Sequence, residues 1–152
     1  MRIGLVSDTH SLVRPELFAA LEGVALILHA GDVGGREVLD ELRVIAPVMA
    51  VYGNVDPPGA PGLDAQIELT LERTRIHVSH GHELGSPTPQ TLLARYDADV
   101  IVYGHTHQAL IERAGARLVV NPGAAGPRRF HLQPSVAILT IGAQAAAELI
   151  FL

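Results

Sequence analysis

The chain has 152 residues, with 11 Lys and Arg against 16 Asp and Glu, for a formal charge of −5. Its 48% hydrophobic content suits one domain over residues 1–152 and excludes a disordered chain. Eight His outnumber three Phe and three Tyr together, and the absence of Cys excludes disulfides, thiolate metal sites and a cysteine nucleophile.

In chain order, Ile3 to Val6 reads as a buried strand. Pro15 to Leu21 reads as a helix, because Pro is favoured at a first helical position. Val24 to Leu28 is the next strand, and Arg36 to Ile45 a helix with Val38, Leu39, Leu42 and Ile45 on one face. Val48 to Tyr52 is a strand, and Pro57 to Gly62 a surface loop. Asp64 to Glu72 alternates, placing Ala65, Ile67, Leu69 and Leu71 on one side of a predicted strand. Ile76 to Ser79 is a strand, Thr88 to Tyr96 a helix, and Val100 to Tyr103 a strand. Four strands follow, over 109–113, 117–120, 135–141 and 145–152, with turns at Gly115 and Gly142. The order, alternating strand and helix and then mostly strand, predicts a layered α/β domain with two packed sheets and outer helices. Runs that are continuously apolar predict strands covered on both faces.

No apolar run approaches the roughly 20 residues that span a bilayer. The apolar run after Met1-Arg2 is also too short for a signal peptide, so a cytoplasmic protein is expected. The acidic balance argues against a broad nucleic-acid or membrane surface, but leaves room for a local phosphate site.

Five of the strand-like runs end on a potential metal ligand. The stops are Asp8 with His10, Asp32, Asn54, His80, and His105 with His107, and successive runs stop 22–26 residues apart. One strand and one connection fit each interval. Open α/β sheets bind ligands at the carboxyl ends of their strands, so parallel neighbours would bring these side chains to one edge. Gly31, Gly53 and Gly104 precede three of the stops and permit close backbone approach. Seven oxygen and imidazole donors are too many for one tetrahedral site and suit two ions, with Asp32 as the natural bridge. Two such ions about 3.5–4 Å apart support phosphoryl transfer.

Taken singly, each motif has an ordinary structural reading. Asp8, Thr9 and Ser11 are helix-capping types, and Gly-Asp and Gly-Asn are turn dipeptides. Five in regular order favour the ligand reading.

Asp8-Thr9-His10, Gly31-Asp32, Gly53-Asn54, His80-Gly81-His82 and Gly104-His105-Thr106-His107 resemble, in order, the motifs of the calcineurin-like metallophosphoesterases. Asn121-Pro122-Gly123-Ala124 with Pro127-Arg128 is similar to a segment of the small bacterial and archaeal phosphodiesterase branch. The resemblance implies a single-domain, four-layer α/β-β-α sandwich and a dinuclear centre. It implies Asp8, His10 and His107 on one ion, Asn54, His80 and His105 on the other, and Asp32 between them. The implied activity is phosphodiester hydrolysis by a metal-bound hydroxide. The implied cofactor is two divalent ions, with Mn expected and Fe, Ni, Co or Zn accommodated by the same donors.

One departure falls at Gly53-Asn54-Val55-Asp56, where many members carry His after Asn. Valine cannot move a proton, which disfavours monoesters with poor leaving groups. His82 has two readings: a catalytic group replacing that proton donor at the substrate, or a supporting loop residue. Asn54, His82 and Arg128 are the expected substrate contacts. Arg128 and Arg129 would clamp a phosphate or form a solvated pair. His29, His77 and His131 are expected to be packing or surface residues, and Asp56 and Glu83 are given no role. The alternatives are a phosphomonoesterase or phosphoprotein phosphatase, and a non-catalytic scaffold such as the retromer subunit of this fold. A homo-oligomer is compatible with the exposed late strands.

Overall fold

The structure is a computed structural model that describes residues 1–129 and 131–152. Branched apolar runs form the first three long strands: β1 (Arg2–Val6), β2 (Leu26–His29) and β3 (Val48–Val51). They lie parallel and adjacent in one six-stranded sheet. The helices α1 (Glu16–Ala20) and α2 (Arg36–Arg43) connect them. The short β4 (Leu63–Asp64) forms one edge of this sheet.

The second sheet has five strands. β5 (Ile67–Leu71) pairs antiparallel with β6 (Thr74–Val78), and β6 pairs parallel with β7 (Val100–Val102) after helix α3 (Pro89–Arg95). The hairpin of β8 (Leu110–Ala114) and β9 (Arg117–Asn121) completes it. The chain then returns to the first sheet. β10 (Ser135–Thr140) lies antiparallel to β1, and β11 (Ala146–Phe151) lies outside β10.

Side-chain alternation makes four layers of these elements. Ile3, Leu5, Leu28, Val78, Val100, Val102, Leu118 and Val120 meet between the sheets. Ile27, Val136 and Ile138, from the opposite face of the first sheet, pack on Leu17, Leu21, Val38, Leu39 and Leu42 of the α1 and α2 segments. Ile101 and Val119 of the second sheet pack on Leu92 and Tyr96 at α3. The order is helix, sheet, sheet, helix, as expected. Burying each such side chain contributes about 1.5–3 kcal/mol.

One expectation is corrected. The predicted strand over 64–72 is two strands in two sheets, with the break at Ala65 and Gln66. The alternation at Leu63, Ala65 and Ile67 runs unbroken through the break, so the period of two does not show that the chain changes partners there. The segment is the crossover between the sheets. Among the described residues, no helix is long and apolar enough to cross a membrane.

Candidate metal centre

The carboxyl ends of β1, β2 and β3 in one sheet face those of β6 and β7 in the other. All seven predicted ligand positions fall on the loops leaving these ends. The ligand atoms of Asp8, His10 and His107 lie within 4.8 Å of one another, as do those of Asp8, Asp32 and His80. His107 Nε2 is 3.4 Å from Asp8 Oδ1. Asp32 Oδ2 stands 3.6 Å from His10 Nε2 and 3.2 Å from His80 Nε2, between the two halves of the cluster. Asn54 Oδ1 lies 3.0 Å from His80 Nε2 and 3.1 Å from His105 Nδ1.

The surrounding hydrogen bonds aim these atoms. Ser7 Oγ and the His105 N–H donate to Asp8 Oδ2 at 2.7 and 3.2 Å, which leaves Oδ1 toward the cluster. The Val55 N–H donates to Asp32 Oδ1 at 3.0 Å, which leaves Oδ2. His80 Nδ1 donates to the Ala30 carbonyl at 2.8 Å and presents Nε2. Such outer contacts fix the tautomer and orientation of a metal-binding imidazole.

The backbone is also committed. Asp8, His10, Asp32, His105 and His107 have φ between 44° and 71°, in the left-handed region. Non-glycine residues there cost of order 1–3 kcal/mol each, and such strain collects at functional sites. Gly53 and Gly104 serve by absence of bulk. A Cβ at Gly53 would lie 2.0 Å from Asp32 Oδ1, and one at Gly104 would lie 2.7 Å from Asp8 Oδ2.

Electrostatics agree with a cation site. Burial works to raise the Asp32 pKa. The hydrogen bond and charge of His80, the Val55 N–H and the charge of His10 outweigh burial and hold it at about 2. Burial opposes charge on His80, yet Asp32 and Asp8 raise its pKa overall. Asp8 Oδ1 and His10 Nε2 are buried without a hydrogen-bond partner. Leaving such atoms uncompensated is costly, and a divalent ion among oxygen and imidazole donors would compensate them. The residues therefore fit two divalent ions.

The remaining sequence candidates separate. His82 is at the rim, its ring 5.3 Å from that of His80 and 6.4 Å from that of His105. The Val55 side chain is exposed beside the cluster. Arg128 is exposed, with no hydrogen bond or ion pair among the described residues. It is the charge of its neighbour Arg129 that acts on His10, where burial is the largest influence lowering the pKa. His131 is exposed. His77 lies on the second sheet, stacked on Tyr96 at 3.7 Å with its Nδ1 against the Glu68 carboxylate.

Three residues do more than the sequence suggested. Buried Asp56 accepts from the N–H groups of Val33, Gly34 and Gly53 at 2.9–3.0 Å, tying the loop after β2 to the loop after β3. The only sequence signal for it was its place two residues after Asn54. Buried His29 accepts from the Gly31 N–H on Nδ1 and so donates from Nε2 to Thr9 Oγ1, which donates to the Val33 carbonyl. Thr9 sits between the candidate ligands Asp8 and His10, so this neutral imidazole braces both. Asn121 Nδ2 donates to the Gly104 carbonyl and Thr106 Oγ1, holding the loop of His105 and His107.

Residues 1–144 match the calcineurin-like phosphoesterase superfamily domain. A probable metallophosphoesterase of Methanothermobacter thermautotrophicus is 36% identical over 161 aligned residues, covering 99% of this chain and 92% of that protein. The solved structure of an archaeal phosphodiesterase superposes with a TM-score of 0.78 at 26% identity over 100% of both chains. Vps29 of Entamoeba histolytica, solved with zinc, gives a TM-score of 0.80 at 24% identity over 99% of each chain, a likeness of fold.

Proposed function

Because this chain belongs to the calcineurin-like phosphoesterase superfamily, whose relatives here are metal-dependent phosphoester hydrolases, we propose that it hydrolyses small phosphate diesters at the cluster between its two sheets. The observation that carries this reading is Asp32 Oδ2, poised between His10 on one side and His80 on the other. Asp8, His10 and His107 would hold one divalent ion, Asn54, His80 and His105 the other, and Asp32 both. Bound there, the ions supply Lewis-acid polarisation of the phosphoryl group and acidification of water at neutral pH.

The chain's own residues bind, orient and move protons. Asn54 presents its amide toward the phosphate as well as the cluster. His82, at the rim, donates a proton to the leaving oxygen, which Val55 cannot do. Arg128 or Arg129 neutralises the anionic ester from the opposite loop. Manganese is the ion we propose for the site, in a cytoplasmic enzyme, alone or as a homo-oligomer. The complete ligand set separates this reading from a scaffold that only shares the fold.

The test is a panel of mono- and diesters against Mn, Fe, Ni, Co and Zn, with Asp32→Ala as control. About two ions per chain are expected, with diesters preferred over monoesters. Asp32→Ala should lose hydrolysis and ion binding together, and retained hydrolysis would refute the bridging role. His82→Ala should slow alkyl esters more than nitrophenyl esters, and equal slowing would remove His82 from proton transfer.

A further inference from the structure

A second cavity, of about 190 Å³, opens beside the metal centre. His82 stands between the two, lining the cavity while its ring faces His80 and His105. Tyr52, Gln66, Ser79, Glu83 and Arg95 form much of the remaining wall. The crossover between the sheets supplies Gln66, and the strand end before His80 supplies Ser79.

Ser79 Oγ is buried, with the residue 1% exposed, beside the Glu83 carboxylate and Tyr96 Oη but without a well-aligned hydrogen bond to either. The buried Nδ1 of His82 also lacks one. Tyr52, Gln66 and Arg95 bring a hydroxyl, an amide and a guanidinium that make no hydrogen bond or ion pair among the described residues. Buried polar groups with incomplete hydrogen bonding are destabilising, and a hydroxyl-bearing ligand would complete them.

The wall also selects the kind of ligand. Arg95 and Glu83 balance in charge, so the cavity is not built for a second phosphate. Glu83 is already engaged, accepting from the Gly81 N–H at 2.9 Å and Tyr96 Oη at 2.8 Å. Tyr96 cannot offer its ring to a base, since His77 stacks on it and the Arg95 guanidinium lies 5.2 Å from its centroid. By contrast, the cavity of about 210 Å³ under the proline loop has an apolar wall, and the Asp56 carboxylate there is fully engaged.

We propose that this cavity binds the leaving alcohol of the substrate, and that this alcohol is an uncharged polyol of about the size of glycerol or a pentose. The inference rests on the diesterase reading above. In the hydrolysis, water adds to phosphorus and the bond from phosphorus to the polyol oxygen breaks. That oxygen takes a proton and departs as the free polyol, leaving a phosphate monoester.

The experiment compares methyl glyceryl phosphate with methyl propyl phosphate on the Mn-loaded protein. The wild type should favour the glyceryl ester by at least about tenfold in kcat/KM, because a site built to pair hydroxyls rejects an analogue that lacks them. Ser79→Ala should bring the ratio toward one, and Gln66→Ala, on the exposed crossover, provides a second reading if the buried substitution unfolds the chain. Hydrolysis of both esters at equal rates would overturn the subsite and leave the diesterase reading standing. A preference that survives in every folded variant would place the polyol elsewhere and also overturn it. Hydrolysis of neither ester with any of the five metals would overturn both readings.

Discussion

At the scale of single residues, the candidate ligands were readable and their supports were not. Asp, Asn and His at strand ends announce a metal site by chemical type. Asp56 does not, because an aspartate in a loop is ordinary, and only the fold shows its carboxylate meeting three backbone N–H groups from two loops. Asp56→Ala should therefore destabilise the protein by about 3 kcal/mol or more, since it strands buried donors. Urea unfolding measures this, and an unchanged midpoint would contradict the bracing role. His29 makes a separate prediction. Burial lowers its pKa to about 4 from 6.5. The unfolded chain takes the extra proton first, so stability falls as the pH drops from about 6.5 to 4, by about 3 kcal/mol for this group. In His29→Gln that part of the slope should vanish, while the value near pH 7.5 drops by the lost brace.

At the scale of elements, local signals worked where the local sequence decides. Pro15, just before α1, and Thr88-Pro89 at α3 mark helix starts. Thr88 Oγ1 accepts from the Thr91 N–H, and Thr91 Oγ1 accepts from the Thr88 N–H, a reciprocal cap. Thr88→Ala should cost about 1 kcal/mol in denaturant unfolding. Leu92→Ala, which removes the fully buried contact of α3 with the second sheet, should cost about 2–5 kcal/mol. A larger loss for Thr88 than for Leu92 would reverse this ranking. The division of β4 from β5 was beyond reach for the opposite reason. Which sheet a strand joins depends on its neighbours in space, and Ala65-Gln66 carries no break in period. The same hidden crossover contributes Gln66 to the polar cavity.

At the scale of the whole molecule, the candidate site joins two sheets whose shared core is apolar. Asp8, Asp32 and Asn54 come from one sheet, and His80, His105 and His107 from loops of the other. Each ion bound by both would stabilise the folded state by mass action, by about 2.7 kcal/mol at a hundred times its Kd. For a domain of this size that corresponds to a rise in Tm of about 5–10 °C per ion on adding Mn to chelator-treated protein. Asp32→Ala should abolish the rise, and an unchanged Tm in the wild type would show that the ions do not bridge the sheets. The strand order also bears on biosynthesis. β1, which carries Asp8, is flanked by β2 and by β10, and β10 spans Ser135–Thr140. A ribosome has thus released every candidate ligand through His107 before the strand that locks β1 emerges. Nascent chains stalled between those points would contain the full candidate donor set on an unfinished sheet, so ions taken up at this site would be captured at the end of synthesis rather than in its middle.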